Sequence, residues 1–246
     1  MTFADRSWWI IGASEGLGRA LAQALDAEGA RLILSARSVD RLNTLAESLH
    51  AAEVLPVDLR DPRSIETAAK AAAEVDGIIY CAGAYDPMSA QNWDIETSVQ
   101  MTEVNFTAAL RVLGGVVPGF AARNHGHVVL IGSLAGYVGL PGAIGYGSSK
   151  AALMHLGECL QADLKGTGVT VQVINPGFIR TRLTEKNDFA MPMILDADDA
   201  AARCVAAMRS GHLMSSFPAP FSWLFRLAAL LPRRVARRLF REGEKP

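Results

Sequence analysis

The sequence predicts an α/β protein: one doubly wound parallel sheet of about seven strands with helices on both faces. Three observations lead there. Runs rich in Ile, Val and Leu alternate with longer Ala-rich amphipathic stretches along the 246 residues. The apolar runs are nearly continuous, as expected of strands covered on both faces. The first run ends in a glycine-rich turn, and no fixed-period repeat or low-complexity linker divides the chain after it.

Each element follows in order. "SWWIIGA" (7–13) reads as the first strand, with a helix from about Gly16 to Glu28. "RLILSA" (31–36) is the second strand, followed by a helix around 39–50. "AEVLPVD" (52–58) is the third, and the next helix starts at Asp61–Pro62. "GIIYCAG" (77–83) is the fourth, leading to a long helix over roughly 97–122. "HVVLIGS" (127–133) is the fifth, and a helix carrying Tyr146 follows. "VTVQVINPG" (169–177) is the sixth. The expected division is a main domain over 1–215 and a C-terminal extension over 216–246.

Composition narrows the function classes. The net charge of −1 gives the body of the protein no nucleic-acid signature. The opening "MTFADRSWWIIGAS" lacks a basic segment, an apolar core and a small-residue cleavage site, so no signal peptide and a cytoplasmic location are expected. Cys81, Cys159 and Cys204 show neither metal-ligand spacing nor an even count, so no metal site and no disulfide framework are expected. Cys159 and Cys204 read as packing residues. Residues 222–246 hold seven Arg/Lys against two Glu, which leaves the rest of the chain at −6. Arg234, Arg237, Arg238 and Arg241 recur there at helical spacing after Pro232, with Val235 and Leu239 on another face. This extension is expected to pack as a lid or subunit contact, with contact at a membrane surface as the lesser reading.

The turn after the first strand reads "GASEGLG", with Gly12, Gly16 and Gly18. Between a strand and a helix, such a turn lets backbone N–H groups approach a pyrophosphate at the helix N-terminus. It therefore predicts a nicotinamide nucleotide on a Rossmann-type fold. At the end of the second strand stands Arg37, with Ala36 where an acid would hold a ribose 2′-hydroxyl, so NADP(H) is expected over NAD(H). Glu15, inside the turn, would oppose that phosphate. In "YGSSK", Tyr146 and Lys150 stand four residues apart on one helix face, so the ammonium can favour the phenolate.

These pieces come in one order: "GASEGLG", "VDL" (57–59), "CAG" (81–83), Asn105 in "VNFTAAL", Ser133 in "IGSLAG", "YGSSK" and "NPGFIRT" (175–181). Together they resemble the short-chain dehydrogenase/reductase family over about residues 7–210. The resemblance implies hydride transfer between a carbonyl and a secondary alcohol. Tyr146 would be the general acid/base, and Lys150 would lower its pKa and hold the nicotinamide ribose. Ser133 would fix the substrate oxygen, and Asn105 would help hold a relay water behind Lys150. It implies a cofactor site of Gly12, Ser14, Glu15, Gly16, Leu17, Gly18 and Arg37 at the first turn and second strand. Asp58 would take the adenine amine with Leu59 beside it, Ala82 and Gly83 would line the adenine ribose, and Pro176, Gly177, Ile179 and Thr181 would meet the nicotinamide end. Two departures from the family pattern, Ile11 before Gly12 and Tyr80–Cys81 before Ala82, remove residues that usually brace those loops.

In the family the substrate side is built by segments that here offer Tyr85, Met88, Trp93, Ala135, Tyr137, Ile144, Phe178, Met191 and Met193. Their apolar character implies a small, mostly apolar carbonyl or alcohol substrate. A homodimer or homotetramer is expected. The rival readings are a lyase or epimerase on the same fold and a nicotinamide-binding sensor without turnover.

Overall fold

Strand and helix alternate from Ser7 to Leu230 in the computed structural model, which describes residues 2–232, 234–236 and 240. The strands are β1 (Ser7–Ile11), β2 (Arg31–Ser35), β3 (Ala52–Val54), β4 (Gly77–Tyr80), β5 (Gly126–Ile131), β6 (Val169–Pro176) and β7 (Met214–Phe217). All pair in parallel, in the order β3-β2-β1-β4-β5-β6-β7. The direction of winding reverses between β1 and β4, which opens a crevice above their carboxyl ends.

The two faces of the sheet bury separate cores. In β1, Trp8 and Ile10 turn to one face and Trp9 and Ile11 to the other, the period of two that a strand imposes. Helices α1 (Gly16–Asp26), α2 (Val39–Glu47) and α7 (Ala197–Ser210) cover the first face through Leu21, Leu42 and Met208. Helices α3 (Pro62–Ala71), α5 (Ala108–Ala122) and α6 (Ile144–Asp163) cover the second through Ile65, Val112 and Leu153. Helix α3 starts at Asp61–Pro62 as expected, and the Asp61 carboxylate caps it, accepting from the Arg63 N–H at 2.9 Å.

Four features differ from the sequence reading. The third strand ends at Val54 rather than Asp58; Leu55 and Val57 still donate to the Leu34 and Ala36 carbonyls, but Pro56 between them has no N–H to give. The long helix expected over 97–122 is α4 (Ile95–Thr102), a π-helical turn (Glu103–Thr107) and α5 in unbroken succession. The sequence reading traced six strands of the expected seven; the seventh, β7, runs through the expected boundary at 215/216, so the sheet itself continues into the extension. Beyond it lies an apolar helix, α8 (Phe221–Leu230), which the sequence reading did not mark, and residues 234–236 after Pro232 are helical as expected. Arg237, Arg238, Leu239 and Arg241 lie outside the described residues. Of the packing cysteines, Cys204 is fully buried but Cys159 is exposed.

Candidate active site

The carboxyl ends of β1, β2, β4, β5 and β6 converge on one cleft of about 560 Å³. Its floor is the turn between β1 and α1. Gly12 has φ +91°, and a Cβ there would stand 2.7 Å from the Ala82 backbone; at Gly18 a Cβ would stand 2.1 Å from the Gly12 carbonyl oxygen. Only glycine permits both approaches. Glu15, extended at the helix start, makes no side-chain cap to α1, so the first-turn N–H groups have no side-chain partner there. The predicted residues Ser14, Glu15, Gly16, Leu17, Arg37, Asp58, Leu59, Ala82, Gly83, Pro176, Gly177, Ile179 and Thr181 all line this cleft, with Ser133, Tyr146 and Lys150 at its inner end.

Ser133 follows β5, and two bonds fix it. Its N–H donates to Asn175 Oδ1 at 3.1 Å, and its Oγ accepts from the Ala135 N–H at 3.1 Å. Asn175 sits so close behind that a Cβ on Gly132 would meet its Oδ1 at 2.0 Å. Tyr146 stands in the first turn of α6, edge-on to Tyr85 with ring centroids 5.0 Å apart. Burial raises its phenol pKa, and hydrogen bonding with Ser133 pulls the other way. The phenol is thus held protonated at neutral pH. Lys150 is buried one turn on, its Nζ 5.9 Å from the Tyr146 ring centroid. The ammonium donates to the Ile131 carbonyl at 2.8 Å, and burial lowers its pKa to about 8. The phenol depressed by Lys150 that the sequence leads one to expect is not found here: desolvation of the ring raises it.

Asn105 does not line the cleft. The π turn carries it inward, where it is fully buried: its Oδ1 accepts from the Ala84 N–H at 2.7 Å, and its Nδ2 donates to the Ala84 carbonyl at 2.9 Å and Ser149 Oγ at 3.0 Å. A π turn in an α-helix is a common device at such positions. Tyr80 anchors it, its hydroxyl donating to the Val104 carbonyl at 2.6 Å. This residue, a departure from the family pattern, thereby ties the end of β4 to the neighbour of Asn105. The first turn is braced differently again. Ser35 accepts from Trp9 Nε1 and donates to the Leu55 carbonyl, and its own carbonyl accepts from the Gly12 and Ala13 N–H groups.

Several arginines of the cleft were missed by sequence reasoning. Glu15 does not face Arg37; its carboxylate is held by Arg41 at 2.5 Å and by Arg182 at 2.5 and 3.1 Å. Asp58 is held by Arg60, at 2.9 and 3.2 Å, which keeps its carboxyl below the usual range. Arg37 is exposed and makes no ion pair among the described residues. The signal for Arg41 was its position one turn after Arg37; Arg182, contributed by the segment after β6, gave none.

The expected substrate side is only partly assembled. Tyr85 touches Tyr146 and donates to Asn187 Oδ1 at 2.7 Å. Trp93 and Met193 are exposed, Tyr137 is tied to Ser216 at 2.9 Å, and Phe178 packs on Phe189 and Phe221. Cys81 lines the cleft with its thiol pushed up by burial to about 12, a protonated packing group and not a nucleophile.

Known proteins are similar to this chain over most of its length. A family model described as short chain dehydrogenase matches residues 7–191. A Myxococcus xanthus protein named an uncharacterized oxidoreductase is 35% identical over 246 residues, covering 95% of this chain and 97% of its own. A short-chain dehydrogenase from Sphingobium yanoikuyae, solved in complex with NADPH, has a TM-score of 0.84 at 25% identity, covering 98% of each chain. One from Burkholderia cenocepacia, in complex with NADP, has a TM-score of 0.88 at 22% identity over 99% of this chain and 100% of its own, a likeness of fold. With the glycine cradle, the Ser133–Tyr146–Lys150 cluster and the matched span in agreement, the chain belongs to the short-chain dehydrogenase/reductase family of oxidoreductases.

Proposed function

We propose that this protein is an NADP(H)-dependent oxidoreductase that interconverts a carbonyl and a secondary alcohol, with Tyr146 as general acid/base. The observation that carries it is the convergence of Ser133, Tyr146 and Lys150 at the inner end of a cleft whose floor is a backbone cradle for a pyrophosphate. The residues fit the nucleotide: Gly12, Gly16 and Gly18 leave room beside the uncapped N-terminus of α1, and Arg37 stands without an ion-pair partner among the described residues. The Sphingobium relative in complex with NADPH supports the choice of nucleotide.

When bound, the nicotinamide supplies or accepts the hydride. Ser133 would donate to the substrate oxygen, its orientation set by Asn175 and Ala135. The Tyr146 phenol would give its proton to that oxygen as charge develops on it in reduction, and the phenolate would take one from the alcohol in oxidation. Lys150 would hold the ribose and, through its charge, stabilise the phenolate left behind. Asn105 would act behind these groups: one acceptor position of Oδ1 remains for a water, the rest of its side chain being bound to Ala84 and Ser149.

A panel of apolar ketones and aldehydes with NADPH, followed by nicotinamide absorbance, tests the reading. Tyr146→Phe should keep NADPH affinity and lose turnover by about 100- to 10,000-fold, the range for removing a general acid. Undiminished turnover in that variant would remove Tyr146 from its role.

A further inference from the structure

Helix α8 carries apolar residues on the side turned away from the protein. Ser222, Phe225 and Ala228 face inward and are buried, and Phe221 and Phe225 pack at 5.1 Å between ring centroids. On the opposite side Trp223 is 56% exposed, Leu227 62% and Leu230 83%, with Leu224 and Leu231 beside them. Those three recur at i, i+4 and i+7, so they form one stripe. A helix that is apolar all round normally lies in a core, and contiguous apolar surface rimmed by charge marks a docking site. Here the rim is basic. Arg226 on α8 and Arg234 just after it are exposed, and the sequence continues with Arg237, Arg238 and Arg241.

We propose that α8 docks this protein on an anionic lipid surface, its outward stripe entering the interface and the arginines meeting the headgroups. Three physical points select a bilayer. The segment 222–246 is basic while the rest of the chain is acidic, so the molecule is oriented by a negative surface with its body held away. Two copies meeting symmetrically across the stripe would bring two basic segments together, which opposes that pairing. Trp223, with an apolar ring and an N–H, suits the boundary between headgroup and hydrocarbon. At ten residues α8 is too short to cross a hydrocarbon core, which takes about 20, so it lies on the surface.

Flotation of the full chain with phosphatidylcholine vesicles, with and without phosphatidylglycerol, tests this. The protein should float with the anionic vesicles, and added sodium chloride should release it; neither measurement needs a variant. Arg226→Gln and Arg234→Gln should each weaken partition about fivefold. Trp223→Ser combined with Leu227→Ser should weaken it roughly 100-fold. Both positions point outward, so an unchanged melting temperature is expected of the double variant. Failure of the unmodified protein to float, or equal flotation of the double variant, overturns the proposal. So does a solution mass that falls from dimer to monomer in the double variant, which would give the stripe to a second copy.

Discussion

Burial of Lys150 puts its loss of charge at about pH 8, well below an ordinary lysine. In the protein without nucleotide the ammonium is deprotonated as pH rises through that value, so kcat/KM, which reports the free enzyme, should fall on the alkaline side there. A profile flat up to the ordinary lysine range would mean that the charge is not needed. The proposed nucleotide choice rests on Arg37. With Glu15 held by Arg41 and Arg182, the opposition expected from its carboxylate is largely cancelled. Charge-assisted bonds contribute about 1.5–3 kcal/mol, so NADPH should bind roughly 10- to 100-fold more tightly than NADH. Ala36→Asp with Arg37→Ala should reverse the ratio of binding constants, and equal affinities in the unmodified protein would dismiss Arg37. Tyr146 and Lys150 were legible because helix period puts them on one face, and Ser133 through the resemblance to the family. Arg182 was not, since its place beside Glu15 depends on a path 167 residues long. Nor could sequence tell that desolvation raises the Tyr146 phenol.

At the scale of elements, the π turn was invisible in the sequence. Nothing in residues 103–107 marks an extra residue per turn, and the turn meets β4 through Tyr80 and α6 through the bond from Asn105 to Ser149. Tyr80 is one such contact. Tyr80→Phe leaves the Val104 carbonyl without its donor, which should cost about 1–3 kcal/mol and let Asn105 shift. Denaturant unfolding measures the first effect. A fall in kcat at unchanged nucleotide affinity measures the second, and unaltered kcat would make Tyr80 purely structural. The parallel strands β1, β2, β4, β5 and β6 were legible from their apolar runs. Strand β7 was not: Met214–Phe217 includes two serines, and only pairing with β6 makes it a strand.

For the whole molecule, the doubly wound plan followed from alternation alone, whereas the way the two faces share the core did not. One consequence is a dependence of global stability on acid. His127 is buried against Trp8 with Nε2 2.8 Å from Gln172 Oε1, and Gln172 Nε2 is committed to two carbonyls, so His127 donates. Burial lowers its pKa to about 4. Between the ordinary histidine value and 4 the unfolded chain takes up a proton that the folded one refuses, so stability falls as pH falls through that window, by up to about 3 kcal/mol. His127→Gln cannot titrate, and its unfolding midpoint should lose this part of the pH dependence; an identical profile would place the acid sensitivity elsewhere. The exposure of Cys159 has a practical side. Cys204 is sealed in the core and the Cys81 thiol stays protonated in the cleft, so a maleimide at neutral pH should attach at one place. Cys159 lies 13 residues after Tyr146 on the same helix, about 20 Å along its axis. The chain therefore comes with its own handle for a dye or a solid support, facing away from the chemistry.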